Sequence, residues 1–385
     1  MVDRPGALQR IRDVFRVHAV AALLGPRQCG KTTLARWLSQ QEASTYFDLE
    51  NPTDQARLES PLRALEKLSG LVVIDEFQRR PELFELLRTL VDRPQNAARF
   101  LVLGAASPAL VKGVSESLAG RIGFVDLSGF ELREVGPEHA DRLWLRGGFP
   151  RSYLAPDDEH SAAWRTEFVR TFLERDIPQL GISIPAETLR RFWTMVAHYH
   201  GQVWNAAEFA RSLGTAENTA RRYLDILAGS YMVRVLPPWF ENLKKRQVKA
   251  PKIYIRDSGV LHTLLQIGSL HALQGHPKLG ASWEGFALEQ TLAVLQTRDA
   301  YYWATHAGTE LDLLVLLRAK RYGFEFKYSD GPRATRSMHS AVHDLKLDHL
   351  WVVYPGVDAY PVHEQITAWP LRDMAGLVEQ TRQPG

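Results

Sequence analysis

A single cysteine, Cys29, stands in a chain of 385 residues, so no intramolecular disulfide and no cysteine-based zinc cage can form. That usage fits a reducing compartment. No apolar run approaches the roughly 20 residues of a membrane span, the longest being the strand-length stretch around Ala19–Leu24. The opening MVDRPGALQR carries no apolar stretch of the signal-peptide kind. A soluble, cytoplasmic protein with no membrane partner is therefore expected. Neither sign of charge dominates, the net being +3, and there is no internal repeat or low-complexity tract. Solenoid, collagen-like and largely disordered chains are excluded, since hydrophobic residues at 45% and charged residues at 24% are those of a packed globular protein. At about 100–200 residues per domain the length predicts two or three domains.

The chain reads as α/β in three parts. Residues 1–154 alternate short apolar runs (Ala19–Leu24, Leu71–Ile74, Phe100–Leu103, Phe124–Leu127) with amphipathic helical stretches, the rhythm of a parallel sheet. Residues 155–250 begin with a helical connector through Trp164, Phe168 and Phe172. They continue with short helical patterns around the tight turn Ser212-Leu213-Gly214 and a strand-like pair near Tyr231–Leu236, as in a winged helix. In residues 251–385 a helical stretch from Lys252 to about Gln296 precedes strands at Tyr301–Trp303, Leu311–Leu317, Tyr322–Lys327 and Leu350–Tyr354, a second α/β domain.

Gly25-Pro26-Arg27-Gln28-Cys29-Gly30-Lys31-Thr32 has the GxxxxGK[ST] spacing, placed between the strand ending at Leu24 and a helix beginning near Thr33. Glycines let successive backbone N–H groups wrap a phosphate, a lysine neutralises the β and γ oxygens, and a Thr32 hydroxyl joins a Mg²⁺ shell. A turn that binds nothing is the alternative, and the agreement of strand, loop and helix argues against it. Leu71–Ile74 ends in Asp75 and Glu76. Asp75 is suited to holding Mg²⁺ and Glu76 to activating an attacking water, although an exposed acidic turn would look the same.

Between Glu208 and Arg256 ten Lys or Arg face four Asp or Glu, a net of +6 that leaves −3 for the rest of the chain. Here Ala206–Arg211 and Thr215–Leu227 bracket Leu213-Gly214, and the second helix presents Asn218, Arg221 and Arg222. Such a helix can enter a major groove, with Lys244, Lys245, Arg246, Lys249 and Lys252 tracking the phosphate backbone. Packing between domains, or binding a protein partner, is the other reading.

In the last part, Asp312 lies near the start of one strand and Glu325-Phe326-Lys327 ends the next, so a hairpin would bring Asp312 beside Glu325. Two such carboxylates suit an octahedral Mg²⁺ site, with Lys327 activating water against a phosphodiester. A solvated hairpin face would carry the same residues. His198 and His200 lack a third ligand at metal spacing, and the tryptophans read as core anchors.

GPRQCGKTTL, LVVIDEFQRRPELFELLRTLVD, SESLAGR and the motif Lys252-Ile253-Tyr254-Ile255-Arg256-Asp257-Ser258-Gly259 resemble a bacterial and archaeal family of AAA-type ATPases. That family carries a C-terminal domain of formerly unknown function with a nuclease-like core. The resemblance implies ATP and Mg²⁺ as cofactors, with Gly25 through Thr33, Asp75 and a polar sensor, here Ser107, around the nucleotide. Arg121 is the implied arginine finger, in its own or a neighbouring subunit, the latter requiring a homo-oligomer; a surface salt bridge is its other reading. One departure is Ala105, where the family carries Ser. Trp283-Glu284-Gly285 resembles the first helix of restriction-enzyme-like nucleases, which implies Glu284 as a third metal contact. Together these expectations describe an ATP hydrolase that remodels or cuts branched or recombining DNA. The alternative is a nucleotide-dependent switch for a protein partner or for transcription, with an inert C-terminal domain.

Overall fold

A computed structural model describes residues 2–94, 96–105, 118–241 and 246–382. The chain divides into two compact units, Met1–Gly129 with Asp225–Met232, and Phe130–Leu224 with Val233–Gly385. Among the described residues no helix is long and apolar enough to cross a membrane.

In the first unit β1 (Val20–Leu24), β2 (Ser44–Asp48), β3 (Gly70–Asp75), β4 (Ala98–Gly104) and β5 (Ile122–Asp126) form a parallel sheet in the order β2-β3-β4-β1-β5. The central strands β1, β3 and β4 are almost wholly buried, which is why they read as unbroken apolar runs. Edge strand β2, half exposed and mixed in composition, gave no such signal. Phe47, Val72, Ile74, Phe100 and Val102 share one core with Leu83, Leu87 and Leu90 of the helix Leu83–Val91.

In the second unit β6 (Gln202–Val203), β7 (Val233–Leu236) and β8 (Lys252–Ile255) make an antiparallel sheet in the order β6-β8-β7. Helices Ala186–His198 and Ala206–Leu213 flank β6 in sequence, and the start of Glu217–Gly229 follows. A six-stranded mixed sheet has the order β13-β14-β12-β11-β10-β9. Its strands are β9 (Ala300–Ala304), β10 (Glu310–Leu317), β11 (Lys320–Phe326), β12 (His349–Tyr354), β13 (Tyr360–His363) and β14 (Ile366–Pro370). The outer edge of β9 is not bare: Trp239 N donates to Tyr302 O at 2.7 Å and Val248 N to Ala304 O at 3.0 Å. Both flanks of the β7–β8 connection thus cover the edge strand.

Three expectations need correction. The first boundary falls at Gly129 rather than 154, and no boundary falls at 250. The cause is dense packing of residues 140–153 against the helices Ser258–Leu264 and Leu279–Leu295: the Trp144 ring lies 5.3 Å from Trp283, and Gly148 N donates to Asp257 at 2.8 Å. Asp257 also caps the helix Ser258–Leu264 by accepting from Val260 N at 2.9 Å. Gly259 passes so close to Arg146 that a Cβ would sit 2.1 Å from its carbonyl oxygen. Lys252–Ile255, expected to begin a helical stretch, is a strand that pairs with Val233–Leu236. Near Tyr231–Leu236 there is therefore one strand, not a pair.

Candidate functional site

The loop after β1 is built on backbone constraints. A Cβ on Gly25 would lie 1.9 Å from the Leu127 carbonyl oxygen, so only glycine fits. Gln28 (φ 62°) and Gly30 (φ 101°) turn the chain through the left-handed region into the helix Lys31–Ser39. The first N–H groups of that helix therefore face the loop. Pro26 and Cys29 are buried, Arg27 half-buried, and Thr33 exposed on the first helical turn. Lys31 is buried, and its ammonium donates to Gly25 O at 2.9 Å and Pro26 O at 2.7 Å. Arg4, absent from the sequence expectations, reaches the loop from the N-terminus. It donates to Cys29 O at 3.1 Å, Ser128 O at 3.2 Å and Gly129 O at 2.9 Å.

Asp75, at the end of β3, is buried and organises the facing side. Its carboxylate accepts from Thr32 Oγ1 at 2.8 Å, from the Tyr46 hydroxyl at 2.7 Å and from Glu76 N at 2.9 Å. Burial, then the Asp75 charge, hold the Tyr46 phenol far above its ordinary pKa, so it stays a donor. Tyr46 was invisible in the sequence because β2 is a polar edge strand; its register, Asp48 opposite Asp75, puts it there. Glu76 has a left-handed backbone (φ 54°) and accepts from Gln78 Nε2, with Arg27 at 3.9 Å. Burial raises its pKa against the lowering effect of Lys31 and Arg27. Arg27 and Arg79 both pair with Glu50 at 3.0 Å. A hydroxyl and a carboxylate in contact are hard oxygen donors, so Thr32 and Asp75 fit Mg²⁺.

Ser107 lies outside the described residues; Ala105, the departure from the family pattern, is buried. Arg121 corrects an expectation. It precedes Ile122, which pairs with Val20 at the start of β1, whereas the loop follows the end of β1. Five strand residues, roughly 17 Å, separate it from the phosphate-binding end. It forms a two-toothed pair with Asp92 at 2.6 and 2.8 Å, so it does not serve the nucleotide of its own subunit.

In the second unit the hairpin of β10 and β11 sets Asp312 beside Glu325. Phe326 N donates to Asp312 at 3.0 Å, and Lys327 Nζ lies 2.8 Å from Glu325 and 3.8 Å from Asp312. Glu284, on the helix Leu279–Leu295, accepts from the Tyr254 hydroxyl at 2.6 Å. Lys252 was expected on a DNA-facing surface, and this is a further correction. It is buried, with Nζ 3.3 Å from Glu284, 3.7 Å from Asp312 and in contact with Glu310. Burial, then the Asp312 charge, raise the pKa of both Glu284 and Glu325. For Lys252 burial acts downward, but Tyr254 and the surrounding carboxylates win and its pKa lies well above the ordinary value. Among the described residues no group of three or more His, Cys, Asp or Glu is disposed to hold a metal ion. The expected Mg²⁺ shell of Glu284, Asp312 and Glu325 does not fit this arrangement, because ammonium groups stand among its oxygens.

On the helix–turn–helix, Asn205 caps the first helix by accepting from Glu208 N at 3.3 Å, and Gly214 (φ 67°) ends it. Asn218, Arg221 and Arg222 are exposed, Arg221 lying 3.8 Å from Glu217. Arg246 is also exposed, while Lys244 and Lys245 lie outside the described residues.

Residues 17–136 match the family described as an AAA domain. Residues 137–271 and 279–374 match two domains of unknown function, DUF8612 and DUF4143. The chain is 54% identical over 370 residues to Uncharacterized protein Rv2008c of Mycobacterium tuberculosis and, equally, to Uncharacterized protein Mb2031c of Mycobacterium bovis. In each case the alignment covers 96% of this chain and 84% of the relative. The chain belongs to the family of these two proteins. Over 69% of its length the chain is similar in fold to the Walker-type ATPase PABY2304 of Pyrococcus abyssi, with a TM-score of 0.50 at 15% identity and 96% of that chain covered. The segment that matches the AAA domain, residues 17–136, contains the loop, Lys31, Thr32 and Asp75 described above.

Proposed function

We propose that this protein is a Mg²⁺-dependent ATP hydrolase that acts on DNA, remodelling branched or recombining DNA. The observation that carries the reading is the 2.8 Å bond between Thr32 and Asp75 beside the buried Lys31, the donor set that a nucleotide–magnesium pair requires. Magnesium, when bound, neutralises charge on the β- and γ-phosphates, and Thr32 and Asp75 would hold it. Lys31 exchanges its two loop carbonyls for phosphate oxygens. Glu76 takes the proton of the attacking water as the bond from the γ-phosphorus to the ADP oxygen breaks. A homo-oligomer would bring in the transition-state arginine that Arg121 cannot offer its own subunit.

Support for DNA as the ligand comes from the second unit. The succession helix, β6, helix, helix, β7, β8, with sheet order β6-β8-β7, supports the winged-helix reading of this segment. Its second turn-flanking helix exposes Asn218, Arg221 and Arg222, and Lys244, Lys245 and Arg246 extend the basic stretch. The β10–β11 hairpin, the helix Arg336–Leu345 and parallel β12 support a nuclease-like reading of this domain, an architecture suited to holding duplex.

ATP turnover with Mg²⁺ and single-stranded, duplex or four-way-junction DNA tests the reading, with Lys31→Ala as control. Stimulation by one DNA form is expected. Glu76→Gln should keep nucleotide binding and lose most hydrolysis; unchanged turnover would remove Glu76 as the base. Glu217 and Asp225, exposed on the same helix as Arg221, favour a second reading, a nucleotide-dependent switch for a protein partner. Hydrolysis that no DNA form changes, with no DNA binding, would select it.

A further inference from the structure

Strand β8 alternates Lys252 and Tyr254 on one face with Ile253 and Ile255 on the other. The Lys252 side chain is 4% exposed, and its ammonium is met by carboxylates from two elements: Glu284 of the helix Leu279–Leu295, and Glu310 and Asp312 of β10. An ammonium has three N–H donors and no acceptor. Glu284 and Glu310 lie within reach of those donors, Asp312 stands beside them as an ion-pair partner at 3.7 Å, and the Tyr302 ring closes another side at 5.7 Å. Lys327 stands over the other half of the cluster, within 4 Å of both Asp312 and Glu325. Each carboxylate expected to hold a divalent ion thus already faces a fixed positive charge. A buried lysine so paired has nowhere better to go, because leaving would strand its own charge and those of the acids.

We infer that the Lys252 ammonium is the resident cation of this cluster, standing where a divalent ion would have to sit, so that the domain keeps the carboxylate set of a metal-dependent nuclease without a metal site. The cluster then acts as a lock that ties β8 to the helix Leu279–Leu295 and to β10. The inference is independent of nucleotide hydrolysis in the first unit, and its test uses no nucleotide.

Mn²⁺ is titrated into the full chain without nucleotide, free Mn²⁺ being read by electron paramagnetic resonance. Wild type and Asp312→Asn should leave the same free Mn²⁺. Lys252→Met should gain one bound equivalent, and Lys252→Met with Glu284→Gln should lose it again. A wild-type Mn²⁺ site that vanishes in Asp312→Asn overturns the inference, and so does a folded Lys252→Met that gains none. If Lys252→Met does not fold, the comparison of wild type with Asp312→Asn still decides.

Discussion

Arg4 should strengthen nucleotide binding without touching the nucleotide. It precedes the helix Pro5–Phe15, is 6% exposed, and donates to three carbonyls of two separate segments: Cys29 in the phosphate-binding loop, and Ser128 and Gly129 after β5. Because a peptide unit is planar and trans, fixing the Cys29 carbonyl fixes the Gly30 N–H on the opposite side of the same plane. That N–H is one of the loop donors that face a phosphate. Hydrogen bonds to a charged group contribute about 1.5–3 kcal/mol each, and removing the guanidinium leaves three carbonyls short of a partner. Water can replace some of these bonds, so Arg4→Met should lower unfolding stability by about 3–5 kcal/mol. Loss of the preset loop geometry should weaken nucleotide affinity by about 1–2 kcal/mol, roughly 5- to 30-fold. Arg4→Lys, with a point charge in place of a planar fork, should recover only part of either effect. The assays are urea unfolding, the Kd for a fluorescent nucleotide, and steady-state hydrolysis. KM should rise while kcat at saturating ATP changes little, since Arg4 is remote from the reacting atoms. A variant with wild-type Kd and wild-type urea midpoint would refute the reasoning, and a fall in kcat alone would assign Arg4 a different role.

Two further expectations concern acid. Glu289 is buried, which alone would raise its pKa, yet Arg234 and Arg256 hold it at about 2. A carboxyl so depressed stabilises the fold above its unfolded pKa and loses that contribution as pH falls toward 2. The shift corresponds to about 3 kcal/mol. Glu289→Gln should therefore lower the urea midpoint at neutral pH, with the gap from wild type narrowing below about pH 5 and closing only as pH nears 2; a constant gap would sink the assignment. His262 accepts at Nε2 from Ser282 (2.7 Å), whose oxygen also accepts from Trp144 Nε1 (3.0 Å), and Nδ1 donates to Leu145 O (3.0 Å). Burial lowers its pKa to about 4, so its stabilising contribution is present above the unfolded pKa near 6.5 and is lost on acidification. The stability difference between wild type and His262→Gln should shrink by about 2 kcal/mol from pH 7 to pH 5, and the comparison cancels the opposing shifts of Glu284 and Glu325. A pH-independent difference would mean that His262 is not held neutral.

What could be read in advance depended on how local each signal was. The central parallel strands announced themselves because burial on both faces leaves little besides Val, Leu, Ile and Phe. The phosphate-binding loop was legible because its chemistry lies within eight consecutive residues between a strand and a helix. The approach of Asp312 to Glu325 followed from period-two alternation across a short turn. Tyr46 and Arg4 were not legible. Tyr46 reaches Asp75 only through the pairing of a polar edge strand, and Arg4 reaches Gly129 across 125 positions. The boundary at Gly129 was hidden for the same reason: residues 140–153 are helical like the segment that follows, and only the packing of Trp144 and the tie between Gly148 and Asp257 assign them to the second unit.

Charge was the most misleading sequence signal, and the reason is geometric. The stretch Glu208–Arg256 is strongly basic when its residues are counted, but a count does not say which cations reach solvent. Arg234 and Arg256 neutralise Glu289, and Lys252 neutralises Glu284, Glu310 and Asp312, all acids that lie outside the stretch. Three of the ten cations are thereby committed to carboxylates elsewhere in the chain, which leaves seven to act on a polyanion. The alternation Lys-Ile-Tyr-Ile already held this information. A strand that places a lysine and a tyrosine on one face and isoleucines on the other, in a chain whose later segments supply Glu284, Glu310 and Asp312, pairs its donors inward unless that face meets water. Counterion release on DNA binding draws on charges that exchange ions with the solvent, so Lys252 contributes nothing to its salt dependence, and Arg221, Arg222, Arg246 and Lys249 are the described cations of the expected DNA face that do.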